Sequence, residues 1–414
     1  MSHSTVELRG SRFGRVRYRL AAAFRGRGVV LFSALALTCG VAVSQAAEVR
    51  FHGLLDVVTT ERDPGYAQNQ LTRGDNPFDP VGLRLFAEST VNPRVEVFAQ
   101  TVIHDATGLY LDGAYVMFTP DPKRDLHLLA GKLPWAVGTW GPRTYSNKNP
   151  LIGIPLIYSH HTSLSWGDIP PTADALLAAA NTGQYGVGYY GTPLGPGMPI
   201  VDDSYWDVGV SLTGSQRPFE YALGINAGAP GWPSITQDDN TGKTVLARMG
   251  IAPVPGLRAG VSGAYGPYLG AWLNPALANG KTVNDYKQKL AMADVEWEMG
   301  HVELHAEGAR NFWQTSTVGT VSVTGGYVEA KFTTSMGGFV AGRYDQLVFG
   351  EITSSTGERR PWDDGVKRWE AAVGYRFSRD TTGKLDYQRT ELDHGADDTY
   401  PIADLLSAQL SVGF

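Results

Sequence analysis

The 414-residue sequence contains a single cysteine, Cys39. It lies in a segment expected to be removed on export. The mature chain then has no thiol for a disulfide framework, a thiolate metal site or a cysteine nucleophile, and no Cys-x-x-Cys-His for covalent haem. Charge is also scarce: Asp, Glu, Lys and Arg make up 18% of residues and hydrophobic residues 43%, a balance that excludes disorder. No run of 18 apolar residues occurs after position 46, which excludes membrane-spanning helices there. Glycine is abundant, with 50 residues, but lacks the period of three of a collagen. Alongside it stand 19 tyrosines and 10 tryptophans, a composition suited to many twisted β-strands.

The N-terminus differs from the rest. Seven arginines (Arg9, Arg12, Arg15, Arg17, Arg19, Arg25, Arg27) face one acid, Glu7, before an apolar stretch from Val29 to Val43. Ser44-Gln45-Ala46 then places small residues at the −3 and −1 positions. That order predicts a secretory signal peptide over 1–46, cleaved after Ala46. The alternative is an uncleaved anchor, for which an apolar stretch of about 15 residues is short. Residues 47–414 would form the mature protein, in which 28 basic and 40 acidic side chains give a net charge of −12. So acidic a chain is a poor partner for nucleic acid.

From Glu48 to Phe414 the dominant signal is period-2 alternation in segments of about ten residues. Between Gly82 and Val91, Leu83, Leu85, Ala87 and Val91 alternate with Arg84 and Glu88. After the Asn92-Pro93 turn, Val95, Val97, Ala99 and Ile103 alternate with Glu96, Gln100 and His104. One face must meet apolar surroundings and the other water. The same reading gives sixteen strands, at 48–60, 80–91, 94–104, 109–119, 126–133, 204–214, 218–228, 243–253, 257–266, 286–299, 301–313, 319–334, 338–350, 365–377, 384–393 and 405–414. A hidden strand pair within 150–192 would make eighteen.

Short turns alternate with long links, the longest being 134–203, and the link 105–108 is short where a long one is due. Short turns at one end and long loops at the other is the layout of a transmembrane antiparallel β-barrel, all-β in class. A strand of ten residues rises about 33 Å, and tilted at roughly 45° it covers about 23 Å, the height of an outer membrane's apolar band. Trp206, Trp297, Trp313, Tyr375 and Phe377 fall near strand ends, where interfacial girdles are expected. The competing architecture is a soluble β-sandwich, which would need two large cores rather than one continuous alternation.

The C-terminal residues Leu406-Ser407-Ala408-Gln409-Leu410-Ser411-Val412-Gly413-Phe414 carry an alternating apolar stripe ending in an aromatic. This resembles the assembly signal of Gram-negative outer-membrane barrels. The resemblance implies that Leu410, Val412 and Phe414 are read by the barrel-assembly machinery, and that lipid and lipopolysaccharide surround the chain. Within barrels the sequence looks like a porin. Ala130-Gly131-Lys132-Leu133-Pro134-Trp135-Ala136-Val137-Gly138 is similar to a Gly-Lys-x-x-x-Pro-(aromatic)-Gly region of phosphate-selective and related substrate-selective porins, with Ala136 and Val137 intervening before the last glycine. The Pro-Glu-Phe-Gly-Gly loop signature of general porins is absent. The porin resemblance implies a passive channel for small hydrophilic solutes, a homotrimer and no cofactor.

Fixed charge at the narrowest point governs such a channel. Loop 134–203 is long enough to fold inward as a constriction, where Arg143, Tyr145, Lys148, His160 and His161 would attract anions or stack on rings. The alternative is a surface loop packed by its own aromatics. Strand parity sets Arg84, Glu88, Glu96, Arg258, Glu296, Glu298, Glu303, Glu307, Glu329, Lys331, Arg343, Arg368 and Arg376 on the pore wall, with Arg50, His52, Asp56, Arg248, His305, Asp345 and Glu370 on the same side. Lys or Arg turned to lipid at midplane costs about 2–4 kcal/mol, which fixes that register. Glu296, Glu298, Glu303 and Glu307 form an acidic run; Lys331, Arg343, Arg368 and Arg376 form a basic one. Opposed rows would set a transverse field across the lumen, whereas cross-strand pairing would stiffen the wall.

His160-His161 is a weak metal pair, since adjacent residues on a strand point apart. Gly260-Val261-Ser262-Gly263 falls one residue short of a nucleophile elbow, and no plug domain precedes the first strand. Rival functions are a scaffold or sheath around a periplasmic partner, an adhesin, or a barrel hydrolase.

Overall fold

The computed structural model describes residues 48–62, 82–104, 108–183, 197–203, 205–234, 238, 240–278, 280–393 and 403–414. The expected signal peptide, the links 63–81 and 394–402 and the side chain of His104 lie outside them.

The alternating segments become β1 (Val49–Arg62), β2 (Gly82–Asn92), β3 (Val95–His104), β4 (Gly108–Phe118), β5 (Leu126–Pro134), β6 (Trp206–Gln216), β7 (Phe219–Asn226), β8 (Thr244–Val254) and β9 (Leu257–Pro267). They continue as β10 (Lys287–Met299), β11 (Val302–Gln314), β12 (Thr320–Thr333), β13 (Gly338–Phe349), β16 (Gly365–Arg376), β17 (Thr381–Asp393) and β18 (Ala403–Gly413). A separate hairpin, β14 (Glu351–Thr353) with β15 (Arg359–Pro361), lies in the link before β16. Each barrel strand pairs antiparallel with its chain neighbours, and β18 pairs with β1, so sixteen strands close a transmembrane-type barrel. The eighteen-strand alternative fails. Residues 150–183 form two short helices, α1 (Leu156–Ser159) and α2 (Ala173–Ala178), and a lone bridge from Ser165 to Gly197.

Closure rests on the chain's two ends. Gly53 and Phe414 exchange backbone hydrogen bonds at 2.8 and 3.0 Å. The Phe414 ring lies over Gly53, where an added Cβ would sit 2.1 Å from it. Leu406, Leu410 and Phe414 are exposed on the outer face while Leu405, Ser407 and Ser411 are buried within, as the terminal stripe requires.

Val208, Val210, Leu223, Val261, Val328, Val340, Val373 and Leu385 belong to the same exposed apolar exterior. Short turns such as 255–256 and 300–301 gather at one end of the barrel and long links at the other. The link 315–319 is a second short connection at the long-link end. Two expected girdle residues point elsewhere. Trp313 is fully buried and faces inward with Ala309 and Asn311, edge-on to Trp362. Trp206 is buried and stacks on Phe98 at 6.0 Å. Tyr375 and Phe377 do stand exposed, in edge contact at 5.1 Å.

Candidate functional site in the barrel lumen

The described residues of the link 135–205 turn inward and pack on the inner wall. Trp135, Val137, Trp140, Leu156, Ile157 and Tyr158 are buried in one apolar cluster with Leu290, Met292, Trp313, Val321, Val323 and Leu347 of the wall. An aromatic-rich segment with few acids therefore becomes the core of a barrel rather than a surface loop. Its backbone polar groups then need partners inside the barrel, and wall carboxylates supply them. Gly153 N donates to Glu370 Oε1 at 2.6 Å, Leu156 N to Asp345 Oδ1 at 3.0 Å, and Ile152 N to Asp386 Oδ2 at 3.2 Å. Thr139 donates through both N and Oγ1 to Glu307 Oε1, at 2.7 and 2.6 Å, and Tyr158 Oη donates to Glu307 Oε2. From the same strand as Asp386, Lys384 Nζ donates to the carbonyls of Ser146, Asn149 and Leu151 at 2.7, 2.7 and 3.1 Å.

Arg143 does reach the lumen, but as half of an ion pair with Glu329. Arg343 is fully buried, with Nη1 3.3 Å from Glu329 Oε2, Nε 3.0 Å from Asp345 Oδ2, and Nη2 on Glu370. Cross-strand register builds this group, since Arg343 stands directly opposite Glu329 and Glu370. Both guanidinium groups lie over the Trp140 ring, at 5.0 and 5.8 Å.

The other expected site residues separate into distinct places. Tyr145 Oη donates to Gln100 Oε1 at 2.7 Å, with Arg84 over its ring at 5.5 Å. Lys148 is exposed. His160 and His161 are buried, and His161 Nδ1 contacts the Gly197 carbonyl. Towards the short-turn end, Glu88, Glu96, Arg258, Glu298 and Arg376 are exposed on the inner face. Lys331 Nζ lies 2.8 Å from Glu303 Oε1, and Arg258 contacts Glu220 at 2.7 Å and Glu296 at 3.6 Å.

Of the two arrangements the sequence leaves open, opposed rows or cross-strand pairing, these wall charges adopt pairing. Glu303 is matched to Lys331, and Arg343 to Glu329 and Glu370, because opposite charges fall on adjacent strands at the same level; Asp345, two residues along β13, adds Arg343's third acid. Sequence reasoning missed Lys384, Asp386, Tyr158 and Thr139 as anchors. Lys384 and Asp386 share β17's inner parity with Gln388 and Thr390, and that parity was the available signal.

A second latch joins the loop to the link before β16. Asp363 accepts from Ser163 N at 2.6 Å and Asn181 N at 2.7 Å. Burial raises its pKa to about 6 against those donors. His160 is shifted the other way, to about 3, by burial and by the Arg368 charge. Above about pH 6.5 its imidazole is neutral whether the loop is docked or free. Below that, a released imidazole takes a proton that the buried one refuses, so docking weakens by up to about 1.4 kcal/mol per pH unit. Asp363 works oppositely, gaining its proton when docked between the ordinary carboxylate range and about pH 6. The comparison that isolates the histidine is the parent against His160→Phe. The parent's loop should become protease-sensitive at a higher pH than the variant's as pH falls from 6.5 to 4. Identical acid profiles would contradict the assignment.

A closed sixteen-stranded antiparallel barrel with a long loop stowed in its lumen defines the porin-type barrel fold. Solved structures similar to it include the following three. The anion-selective porin from Comamonas acidovorans superposes with a TM-score of 0.55 at 12% identity, covering 89% of this chain and 100% of that one. Salmonella typhi OmpF, in complex with daunomycin, gives 0.53 at 12% identity, covering 89% and 98%. The trimer form of OmpT, an outer membrane protein of Vibrio cholerae, gives 0.52 at 11% identity, covering 89% and 100%. No protein-family model and no curated protein sequence matches the chain.

Proposed function

We propose that the chain is an outer-membrane porin, exported through a cleaved signal peptide over 1–46, that forms a passive channel for small hydrophilic solutes. It would assemble as a homotrimer in a Gram-negative outer membrane, with the link 135–205 narrowing the path. The observation that carries this reading is the infolded loop. Its polar backbone is held by Glu307, Asp345, Glu370 and Asp386, and an inner face of charged side chains continues below it to the short-turn end. Such a face is suited to water and ions, and the apolar exterior to lipid. Fixed charge left along the path includes Lys148 on the loop and Glu298 on the wall, both exposed. Ser262 Oγ accepts from Gly138 N at 3.0 Å and so helps hold the loop to β9.

The burial of Trp140, Val137 and Tyr158 inside the barrel favours one rival, a closed scaffold or sheath. Single-channel recording separates the two. Residues 47–414, refolded and inserted into a planar bilayer under a salt gradient, should give stepwise ohmic currents. A folded, heat-modifiable barrel that inserts without current steps would overturn the channel and leave the closed scaffold.

A further inference from the structure

The turn between β10 and β11 brings three acids and one histidine together on the lumen wall. Glu298 stands directly opposite Glu303, and Glu296 directly opposite His305. Like charges facing each other across two strands repel. Lys331 relieves Glu303 at 2.8 Å, and Arg258 reaches Glu296 at 3.6 Å. Glu298 has no lysine or arginine partner among the described residues. One carboxylate oxygen from each of Glu298 and Glu303 and one ring nitrogen of His305 lie within 4.8 Å of one another.

His305 is the second observation. It is 8% exposed, and its Nδ1 is buried without a hydrogen-bond partner. The nearest ion-pair contact of that nitrogen, Glu296 Oε1, is 3.6 Å away. A buried ring nitrogen left unpaired beside carboxylates is costly unless something binds there.

We propose that Glu298, Glu303 and His305 bind a divalent transition-metal cation, with Glu296 beside His305 on the same wall. The donor chemistry selects the metal class. Imidazole with carboxylates suits zinc and its first-row neighbours, whereas magnesium and calcium take oxygen donors alone. The cation relieves the Glu298–Glu303 repulsion and gives an imidazole without a hydrogen bond a ligand bond instead. It also places positive charge on the lumen wall close to the short-turn mouth.

The test is calorimetric titration of untagged, refolded 47–414 in detergent with zinc chloride, and separately with magnesium chloride. One saturable zinc per chain is expected, with no comparable magnesium uptake. Glu298→Gln and His305→Ala should each weaken zinc binding at least about tenfold, or 1.4 kcal/mol. Glu298 is exposed, so its variant tests the site even if His305→Ala fails to fold. Heat-modifiable migration in gels confirms a closed barrel in each sample. No saturable zinc uptake by the folded barrel overturns the proposal. So does uptake unchanged in Glu298→Gln, or magnesium binding equal to zinc. The binding measurement needs no open pore, so a barrel that carries no current leaves this test intact.

Discussion

Arg343→Met is expected to destabilise the folded barrel by about 3–5 kcal/mol, the usual cost of removing one partner from a buried charge group. The guanidinium is fully buried and holds Glu329, Asp345 and Glu370 together. Methionine fills much of the volume but leaves those carboxylates facing one another. Two of them also hold the loop, through Leu156 N and Gly153 N, so the loss should spread from the wall to the loop. Denaturant titration of the refolded barrel measures it. Adding Asp345→Asn and Glu370→Gln to Arg343→Met should recover part of the loss, since the stranded charge is then gone. A single variant as stable as the parent would show that the network contributes no net stability.

The second large effect is on conduction. Replacing 138–203 with a short glycine-rich linker should raise single-channel conductance severalfold, because the segment that packs on the inner wall of β9 to β13 is removed. Selectivity should move towards cations. The excision deletes Arg143 and Lys148, with Asp168, Asp174, Asp202 and Asp203, and the cationic shift comes from turning Glu307, Asp345, Glu370 and Asp386 from loop anchors into wetted wall charges. The reversal potential in a salt gradient reads that sign. An unchanged step size from a heat-modifiable, folded variant would mean that the narrowest point lies elsewhere.

The barrel was legible because lipid outside and a polar interior write themselves into the sequence as alternation. Val208 and Val210 against Asp207 and Ser211 is one such record. Parity sets Glu329, Arg343 and Glu370 on one face, but one strand's parity does not say which residue on the next strand stands opposite. That is why the sequence leaves opposed rows and ion pairs equally open where ion pairs form. Arg143 was recognisable as a cation in a long loop. Its counterion, Glu329, lies 186 residues further on, beyond the reach of any local pattern. Trp313 was misplaced because proximity to a strand end was weighed above its parity with Ala309 and Asn311. Lys384 escaped because the strand was read as starting there rather than at Thr381.

The distances along the chain between the loop and its anchors imply an order of events. Gly153 finds Glu370 across 217 residues, and Ser146 finds Lys384 across 238. The loop follows the fifth strand, yet most of the wall it rests on comes after the ninth. Contacts this far apart form only after long loops have closed. The interior is thus made early and docked late. During most of assembly its tryptophans and tyrosines await a wall that does not yet exist, and the last strand, sealed by Phe414 over Gly53, completes the vessel around a filling already present.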